Sequence, residues 1–253
     1  MNIEISSLIF FSVISIIPLG IFIYLGINQK SELFISFLRM VIQLVLVGIY
    51  LKYIFQVDSL FLNLLWVFVM ILTASVSVKN RSKIKIKYFS LGIFLSFLGT
   101  LLFIACSLLI IFPFETLKSA RYLIPIIGMI LGNSLRGNIV GISNFNESLQ
   151  EKESEYIHYI FLGATYSEAL KPFLKNAFKV AISPQLAGLA TIGLVSLPGM
   201  MTGQILGGSD PITAVKYQIM IMIAIFTSVS LSTFLVLFVL SKLSVDNLGR
   251  IKK

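Results

Sequence analysis

Seven apolar stretches, each long enough to cross a lipid bilayer, dominate this 253-residue sequence. A helix rises about 1.5 Å per residue, so about 20 apolar residues span the roughly 30 Å hydrocarbon core of a membrane. Hydrophobic residues make up 57% of the chain and charged residues only 12%, which is about half the charged fraction of soluble domains. The sequence therefore predicts an all-α polytopic membrane protein, with one transmembrane domain over residues 1–253. Its helices are expected at 5–26, 33–55, 60–78, 88–112, 122–141, 185–203 and 212–240.

The basic residues alternate between loops. The loop after the third predicted helix carries five of them, and others lie in the first loop and after the last helix (Lys79, Arg81, Lys83, Lys85 and Lys87; Lys30; Lys242, Arg250, Lys252 and Lys253). The loops at 56–59, 113–120 and 204–211 are nearly neutral. Because Lys and Arg accumulate on the cytoplasmic side, we expect an outside N-terminus and a cytoplasmic C-terminus in a bacterial inner membrane. The net charge of +9 then reflects topology rather than nucleic-acid binding.

One loop is long, at residues 142–184, and its pattern predicts amphipathic helices. Thr165 and Glu168 have the spacing of a capping box, and Pro172 is expected to end or kink the helix that begins there. A row of lysines at four-residue steps (Lys171, Lys175 and Lys179) lies opposite the apolar face that continues beyond the proline. Two interpretations are open: the row contacts anionic lipid headgroups, or the segment docks a cytoplasmic partner protein.

The sixth predicted helix is interrupted by Pro198 and Gly199. Non-helical backbone at membrane depth persists only inside protein or beside a wet cavity, and broken helices mark binding sites in many transporters. We therefore select polar or sulfur-bearing residues at or near this depth as candidates for a transport pathway: Arg39, Gln43, Asn133, Met200, Met201 and Gln204. The two methionines are also a weak candidate metal site, since thioethers suit soft ions such as Cu(I).

No catalytic set emerges from the sequence. Glycine is nowhere followed by lysine, so a Walker A phosphate loop is absent, and ATP hydrolysis would require another chain. We expect a transport subunit that is not itself an enzyme and that needs no cofactor. The carboxylates Asp58, Glu115 and Asp210 all fall in predicted outside loops, which counts against a proton-coupled carrier with acidic groups in its spans.

Four segments resemble one family. RMVIQLVLVGIYLKYIF, IPIIGMILGNSLRGNIVG, LGATYSEALKPFLKNAFKVAISP and GLVSLPGMMTGQILGGSDPITAVKYQI are similar to the FetB/YbbM family, permease subunits of bacterial ABC transporters implicated in iron export. The resemblance implies a FetA-type cytoplasmic ATPase as partner, iron as cargo and a role in metal homeostasis. It also implies coupling to the ATPase through residues 142–184, for which the candidates are Gly163, Ala164, Glu168, Lys171, Lys175 and Lys179.

The leading hypothesis is a homodimeric ABC permease that exports iron, with lipids around it and two copies of a separate ATPase below it. One alternative keeps this architecture and exports an organic solute such as a nucleotide sugar. Another is an ATPase-independent secondary carrier.

Overall fold

The computed structural model describes residues 4–27, 30–82, 84, 86, 88–246 and 249–251. This part of the chain is helical, with two isolated β-bridges and no strand. Lys83, Lys85, Lys87, Lys252 and Lys253, which contribute to the predicted charge bias, lie outside the described residues, as does the side chain of Lys30.

The chain divides into two compact units, residues 1–57 and residues 58–253. The first contains α1 (Ile5–Ser12), a 3₁₀ turn (Val13–Ser15), α2 (Ile16–Tyr24) and α3 (Lys30–Val57). The second contains α4 (Leu60–Ser82), α5 (Phe89–Leu108), α6 (Phe114–Lys118), α7 (Ala120–Glu151), α8 (Glu153–Phe161), α9 (Tyr166–Thr191), α10 (Gly199–Leu206) and α11 (Pro211–Leu243).

Six helical segments in the described chain are long and apolar enough to cross a membrane: Ser6–Tyr24, Ser31–Val57, Leu60–Ser82, Phe89–Leu108, Ala120–Glu151 and Pro211–Leu243. They match six of the seven predicted helices. The remaining one, the sixth predicted helix over 185–203, does not form as a single element. Its residues are divided between the end of α9, a turn at 192–198 and the start of α10, because proline and glycine interrupt the helix there.

The second unit has two distinct ends. At one end the beginnings of α4 and α7 meet, where the Asn63 amide donates to the carbonyl oxygen of Lys118 at 2.9 Å. The rings of Phe112 and Tyr217 also stack there, with centroids 5.6 Å apart. At the other end the start of α5 meets the end of α11, so closely that a Cβ on Gly92 would lie 2.5 Å from Val239 Cγ1. The nearly neutral loops thus share the first end, and the predicted coupling segment and the C-terminal tail lie at the second.

The helices of the long loop are longer than the sequence predicted, and the alternative that Pro172 ends its helix is wrong. Helix α7 continues to Glu151 rather than ending near residue 141, and α9 runs through both Pro172 and Pro184. A proline inside a helix removes a backbone hydrogen bond and costs about 3 kcal/mol. Both proline rings lie on the exposed side of α9, while Phe173 and Ala177 are buried on the other side. We attribute the continuity of the helix to this packing, which local propensity cannot register.

Candidate functional site

Helices α7 and α11 are joined by two buried polar contacts at the same sequence offset. The hydroxyls of Ser134 and Ser228 lie 3.0 Å apart. One turn further, Asn138 Oδ1 accepts hydrogen bonds from Thr233 at 2.9 Å and from Ser232 at 3.4 Å. The residue numbers increase in the same direction on both helices from the first contact to the second. Helices α7 and α11 therefore run parallel. Polar groups of this kind join membrane helices without exposure to lipid.

Two pairs of glycines on α7, Gly128 with Gly132 and Gly137 with Gly141, have the four-residue spacing that allows membrane helices to approach closely. A Cβ built on Gly137 would lie 2.7 Å from Val229 Cγ1, and one on Gly141 would lie 3.1 Å from Thr233 Cγ2. The other glycine pair differs: a Cβ on Gly128 would make an ordinary 3.4 Å contact with Met70, and one on Gly132 would meet nothing within 4 Å. Only the second pair therefore supports tight helix packing.

Helix α9 runs antiparallel beside α7. The Asn176 amide donates to Asn144 Oδ1 at 3.0 Å, and the Gln185 amide reaches Asn133 Oδ1 at 3.5 Å. The predicted basic face is present, since Lys171, Lys175 and Lys179 are exposed while the opposite face is buried. Gln185 lies at the level of Asn133, well inside the apolar part of α7. The axis of α9 is therefore aligned with that of α7, antiparallel to it.

The structure brings some of the predicted pathway residues near this assembly. Asn133 is half-buried and also donates to the Met129 carbonyl at 2.8 Å. On α10, Met201 is half-buried, and Met200 packs against the apolar core. Gln204 Oε1 is buried without a hydrogen-bond partner in the described chain. Pro198 precedes α10, which begins at Gly199.

The remaining pathway candidates lie elsewhere. Arg39 and Gln43 are exposed residues of α3, in the first unit. The described residues contain no group of three or more His, Cys, Asp or Glu side chains placed to hold a metal ion. A metal role for Met200 and Met201 stays a prediction.

The turn between α8 and α9 caps the end of α8 and the start of α9 with its own backbone and side-chain hydrogen bonds. Gly163 has φ of 89°, its N–H bonds to the Ile160 carbonyl at 3.0 Å, and the Ala164 N–H bonds to the Tyr159 carbonyl at 3.1 Å. These are the two bonds of a Schellman motif. The predicted capping box then starts α9: Glu168 accepts from the Thr165 N–H at 2.8 Å, and Thr165 Oγ1 accepts from the Glu168 N–H at 3.4 Å.

Electrostatics favour the ionised form of Glu168. The hydrogen bonds from the Thr165 hydroxyl and N–H lower the pKa of its carboxyl, and Lys171 lowers it further. The turn leaves two large apolar side chains in the open, because Phe161 is 84% exposed and Leu162 is 71% exposed. Sequence reasoning missed both residues. Their apolar character in a segment rich in glutamate was the available signal.

The residues after α11 form a second feature that sequence reasoning missed. Val245 and Ile251 form a bridge, and the Tyr156 hydroxyl donates to the carbonyl oxygen of Gly249 at 3.0 Å. Burial raises the pKa of Tyr156. Gly249 lies against the Tyr166 ring, so closely that a Cβ there would overlap the ring. This C-terminal turn therefore fastens the end of α11 to α8 and to the start of α9.

Each of the three carboxylates predicted in outside loops has a partner. Asp58 accepts from the Ala120 N–H at 2.7 Å and from the Ser119 hydroxyl at 2.9 Å, so it caps α7 from a distant loop. These contacts lower its pKa, the Ala120 N–H most strongly. Asp210 caps α11 by accepting from the Thr213 N–H at 2.9 Å, and Glu115 pairs with Lys118.

Comparisons with known proteins agree with this architecture. The "Probable iron export permease protein FetB" of Escherichia coli is 33% identical over 198 residues, which cover 78% of this chain and 75% of that protein. The "UPF0014 membrane protein YjkA" of Bacillus subtilis is 34% identical, with 80% of each chain covered. "Protein ALUMINUM SENSITIVE 3" of Arabidopsis thaliana is 29% identical over 78% of this chain and 71% of its own length. No solved structure matches the chain.

The family model described as "Uncharacterised protein family (UPF0014)" matches residues 5–244. The resemblance to FetB-like permeases is thereby confirmed, together with a multi-span membrane location. The chain belongs to the UPF0014 family of membrane proteins.

Proposed function

We propose that this chain is the homodimeric membrane subunit of an ABC transporter that exports iron, driven by a separate FetA-type ATPase. The likeness to the relative named as an iron export permease supports the cargo. The proposed topology has seven spans, with α9, the following turn and α10 together making the sixth passage. The end that carries the α8–α9 turn faces the cytoplasm, since the basic loop and basic tail of the sequence lie toward it.

The observation that carries the ATPase partnership is the exposed apolar tip of the α8–α9 turn, Phe161 and Leu162. The acidic residues around it (Glu147, Glu151, Glu153 and Glu155) favour a location in water over one in lipid. Large apolar side chains exposed on a surface are typical of interaction sites, and in water the matching partner is a protein. The Schellman motif and the capping box hold the tip locally, and the contact of Tyr156 with Gly249 fastens α8 beside it. The tip therefore presents a preformed shape to a partner, which lowers the entropic cost of binding.

The exposed lysines of α9 continue this surface along the helix. Lys175 and Lys179 form no ion pair within the described residues. They therefore remain available to acidic groups of the ATPase. Contacts made through such a row also steer association and weaken with salt.

Co-purification tests the partnership. The permease is expressed with the ATPase encoded beside it, and the retained ATPase is quantified for wild type, Phe161→Ser and Ile110→Ser. Ile110 is a matched control because it is 86% exposed at the opposite end of the second unit. We expect Phe161→Ser to lower ATPase retention at least tenfold and Ile110→Ser to leave it unchanged. If Phe161→Ser retains as much ATPase as wild type, the tip is not part of the docking surface.

Cargo is tested in proteoliposomes that contain both subunits. We expect Fe²⁺ to stimulate ATP hydrolysis and to be moved in an ATP-dependent manner. The unpaired lysines of α9 favour a second candidate cargo, an anionic organic solute such as a nucleotide sugar. If that solute stimulates ATP hydrolysis and Fe²⁺ does not, the cargo is the organic solute and not iron. The proposal of an ABC transporter would be unaffected. Transport that proceeds without the ATPase would instead indicate a secondary carrier.

A further inference from the structure

The C-terminal turn contacts both helices that flank the α8–α9 turn. From α8, the Tyr156 hydroxyl donates to the Gly249 carbonyl oxygen at 3.0 Å, and Tyr156 is only 1% exposed. From α9, the ring of Tyr166, its first residue, lies directly against Gly249. Gly249 has φ of 76°, a conformation that glycine adopts readily and other residues rarely. We name Tyr156, Gly249 and Tyr166 the tyrosine clamp, since one backbone position is held by both arms of the turn that exposes Phe161.

The C-terminal turn holds its own shape. The Asp246 N–H donates to the Arg250 carbonyl at 2.9 Å, and the Asp246 carboxylate accepts from the Arg250 N–H at 2.8 Å and from its Nε at 2.9 Å. The Gly249 N–H donates to the Asp246 carbonyl at 3.0 Å. Val245 and Ile251 form a bridge and pack against the apolar core of the second unit. These contacts favour movement of the turn as one body.

The C-terminal turn follows α11 directly, without a flexible linker. Helix α11 ends at Leu243, and the next residue, Ser244, donates to the Leu240 carbonyl from its N–H at 2.8 Å and from its hydroxyl at 2.7 Å. Val245 then begins the bridge to Ile251. Helix α11 is also the helix whose hydroxyls bond to α7. A displacement of the C-terminal turn is therefore applied to the end of a helix that is part of the α7–α11 pair.

We propose that the tyrosine clamp couples the α8–α9 turn to α11, with Tyr156 as the positioning residue. Hydrogen-bonded and packed groups carry such coupling between rigid elements, so the α8–α9 turn cannot move without moving the end of α11 or breaking the Tyr156–Gly249 bond. The coupling is a property of this chain alone. Its role rests on the proposed function, in which the clamp transfers movement of the ATPase-bound tip to the membrane helices.

Hydrogen exchange of the purified chain in detergent, followed by mass spectrometry, tests the coupling. Gly163→Val perturbs the α8–α9 turn, because Gly163 has φ of 89° and a β-branched residue is strained there. We expect exchange to be about threefold faster at residues 161–168 and also at residues 241–251. In the Tyr156→Phe background, exchange at residues 241–251 should be fast already. Gly163→Val should then add nothing there, since residues of one network act non-additively.

Two controls separate coupling from general loosening. Tyr159→Phe removes another α8 hydroxyl, whose 3.4 Å bond to Glu155 is local and exposed, and in its background Gly163→Val should keep its distant effect. Gly208→Val introduces similar strain, since Gly208 has φ of 91°, but in the loop before α11. Neither control should alter exchange at residues 241–251.

A perturbation from the other side of the clamp gives an independent measurement if Gly163→Val does not fold. In Gly249→Ala, the added Cβ would overlap the Tyr166 ring, and coupling is reciprocal. We therefore expect faster exchange at residues 153–168. The coupling is absent if Gly163→Val and Gly249→Ala each affect only their own segment, or if Tyr156→Phe leaves the distant effect intact. It is also absent if Gly208→Val accelerates exchange at residues 241–251 as much as Gly163→Val does.

The role in transport is tested on the complex with the ATPase. We expect Tyr156→Phe to retain the ATPase but to lose the ATP-dependent change in exchange at residues 207–213, before α11, that wild type and Tyr159→Phe show. If the ATPase is retained and this change is absent from wild type or persists in Tyr156→Phe, the clamp does not transfer the movement. If wild type retains no ATPase, the proposed function is rejected, and exchange of the chain alone still decides whether the clamp couples the turn to α11.

Discussion

The α7–α11 pair and the α8–α9 turn satisfy their polar groups in opposite ways. In the pair, hydroxyl and amide side chains bond across two helices and are buried, as in the Ser134–Ser228 contact. In the turn, the bonds stay within one short segment, and the apolar Phe161 is left exposed. The comparison indicates that the pair forms the frame of the second unit, whereas the turn is the surface that we propose for a partner. Changes in the pair should alter stability, whereas changes in the turn should alter binding.

The largest expected effect comes from adding bulk to the pair. Gly137→Leu places its Cβ 2.7 Å from Val229 Cγ1, and overpacking of this kind costs about 1–3 kcal/mol. We expect a lower unfolding temperature in detergent, measured by thermal aggregation. Gly132→Ala is the control, because its Cβ would meet nothing within 4 Å and alanine favours helix by up to about 1 kcal/mol. If Gly137→Leu and Gly132→Ala lower the unfolding temperature equally, tight packing is not specific to Gly137.

Removing the buried amide of the pair should have a smaller effect. Asn138→Ala deletes the acceptor of the Thr233 and Ser232 hydroxyls, and such bonds contribute about 0.6 kcal/mol each within membranes. We expect about 1 kcal/mol lower stability in the same assay. Asn176→Ala removes an exposed bond to Asn144 and should change stability less. The reverse order would show that the α7–α9 contact, and not the α7–α11 pair, holds the frame.

Acid should weaken the frame through Asp58, which caps α7. The pKa of Asp58 is lowered by the Ala120 N–H and by neighbouring side chains. Its contribution to stability is therefore present above the unfolded pKa, about 3.9, and is lost as pH falls through the lower folded pKa. Because the carboxylate is exposed, we expect the loss to be about 1 kcal/mol. Asp58→Asn should flatten this part of the stability–pH profile. An unchanged profile would show that Asp58 does not contribute to the stability of the second unit.

The smallest effect is expected in the turn. Glu168→Gln keeps a side-chain acceptor for the Thr165 N–H but removes the charge that favours the capping box. We expect no change in unfolding temperature and faster hydrogen exchange at residues 165–168, measured by mass spectrometry. The matched change Glu155→Gln, on α8, should leave that exchange unaltered. A global loss of stability in Glu168→Gln would mean that the turn belongs to the frame.

Much of the local structure was predictable from the sequence. Six membrane-length helices follow from apolar run length, and the Thr165–Glu168 capping box and the tight Gly137–Gly141 face follow from residue spacing. Family membership could also be read from motifs such as LPGMMTGQIL. The seven-span topology and the roles of Arg39, Gln43 and the α9 lysines stay predictions.

Other features required partners far apart in the chain. Asp58 lies 62 positions before the N–H that it caps, and Gly249 lies 93 positions after Tyr156, so no local pattern could pair them. The sequence allowed the helix to end at Pro172, whereas α9 continues through it with Phe173 and Ala177 packed on the buried side. The exposure of Phe161 was equally hidden, since an apolar residue in an amphipathic segment is usually assigned to its buried face.

The sequence by itself determined that the chain enters a membrane, because run length and hydrophobicity act residue by residue, without reference to distant contacts. It also determined where helix ends are capped. Only the tertiary structure decided that α7 and α11 run parallel at a fixed offset, and that α9 passes beside α7. The physical reason is that burial and hydrogen-bond satisfaction depend on which surfaces meet, and those surfaces come from segments separated by up to about one hundred residues.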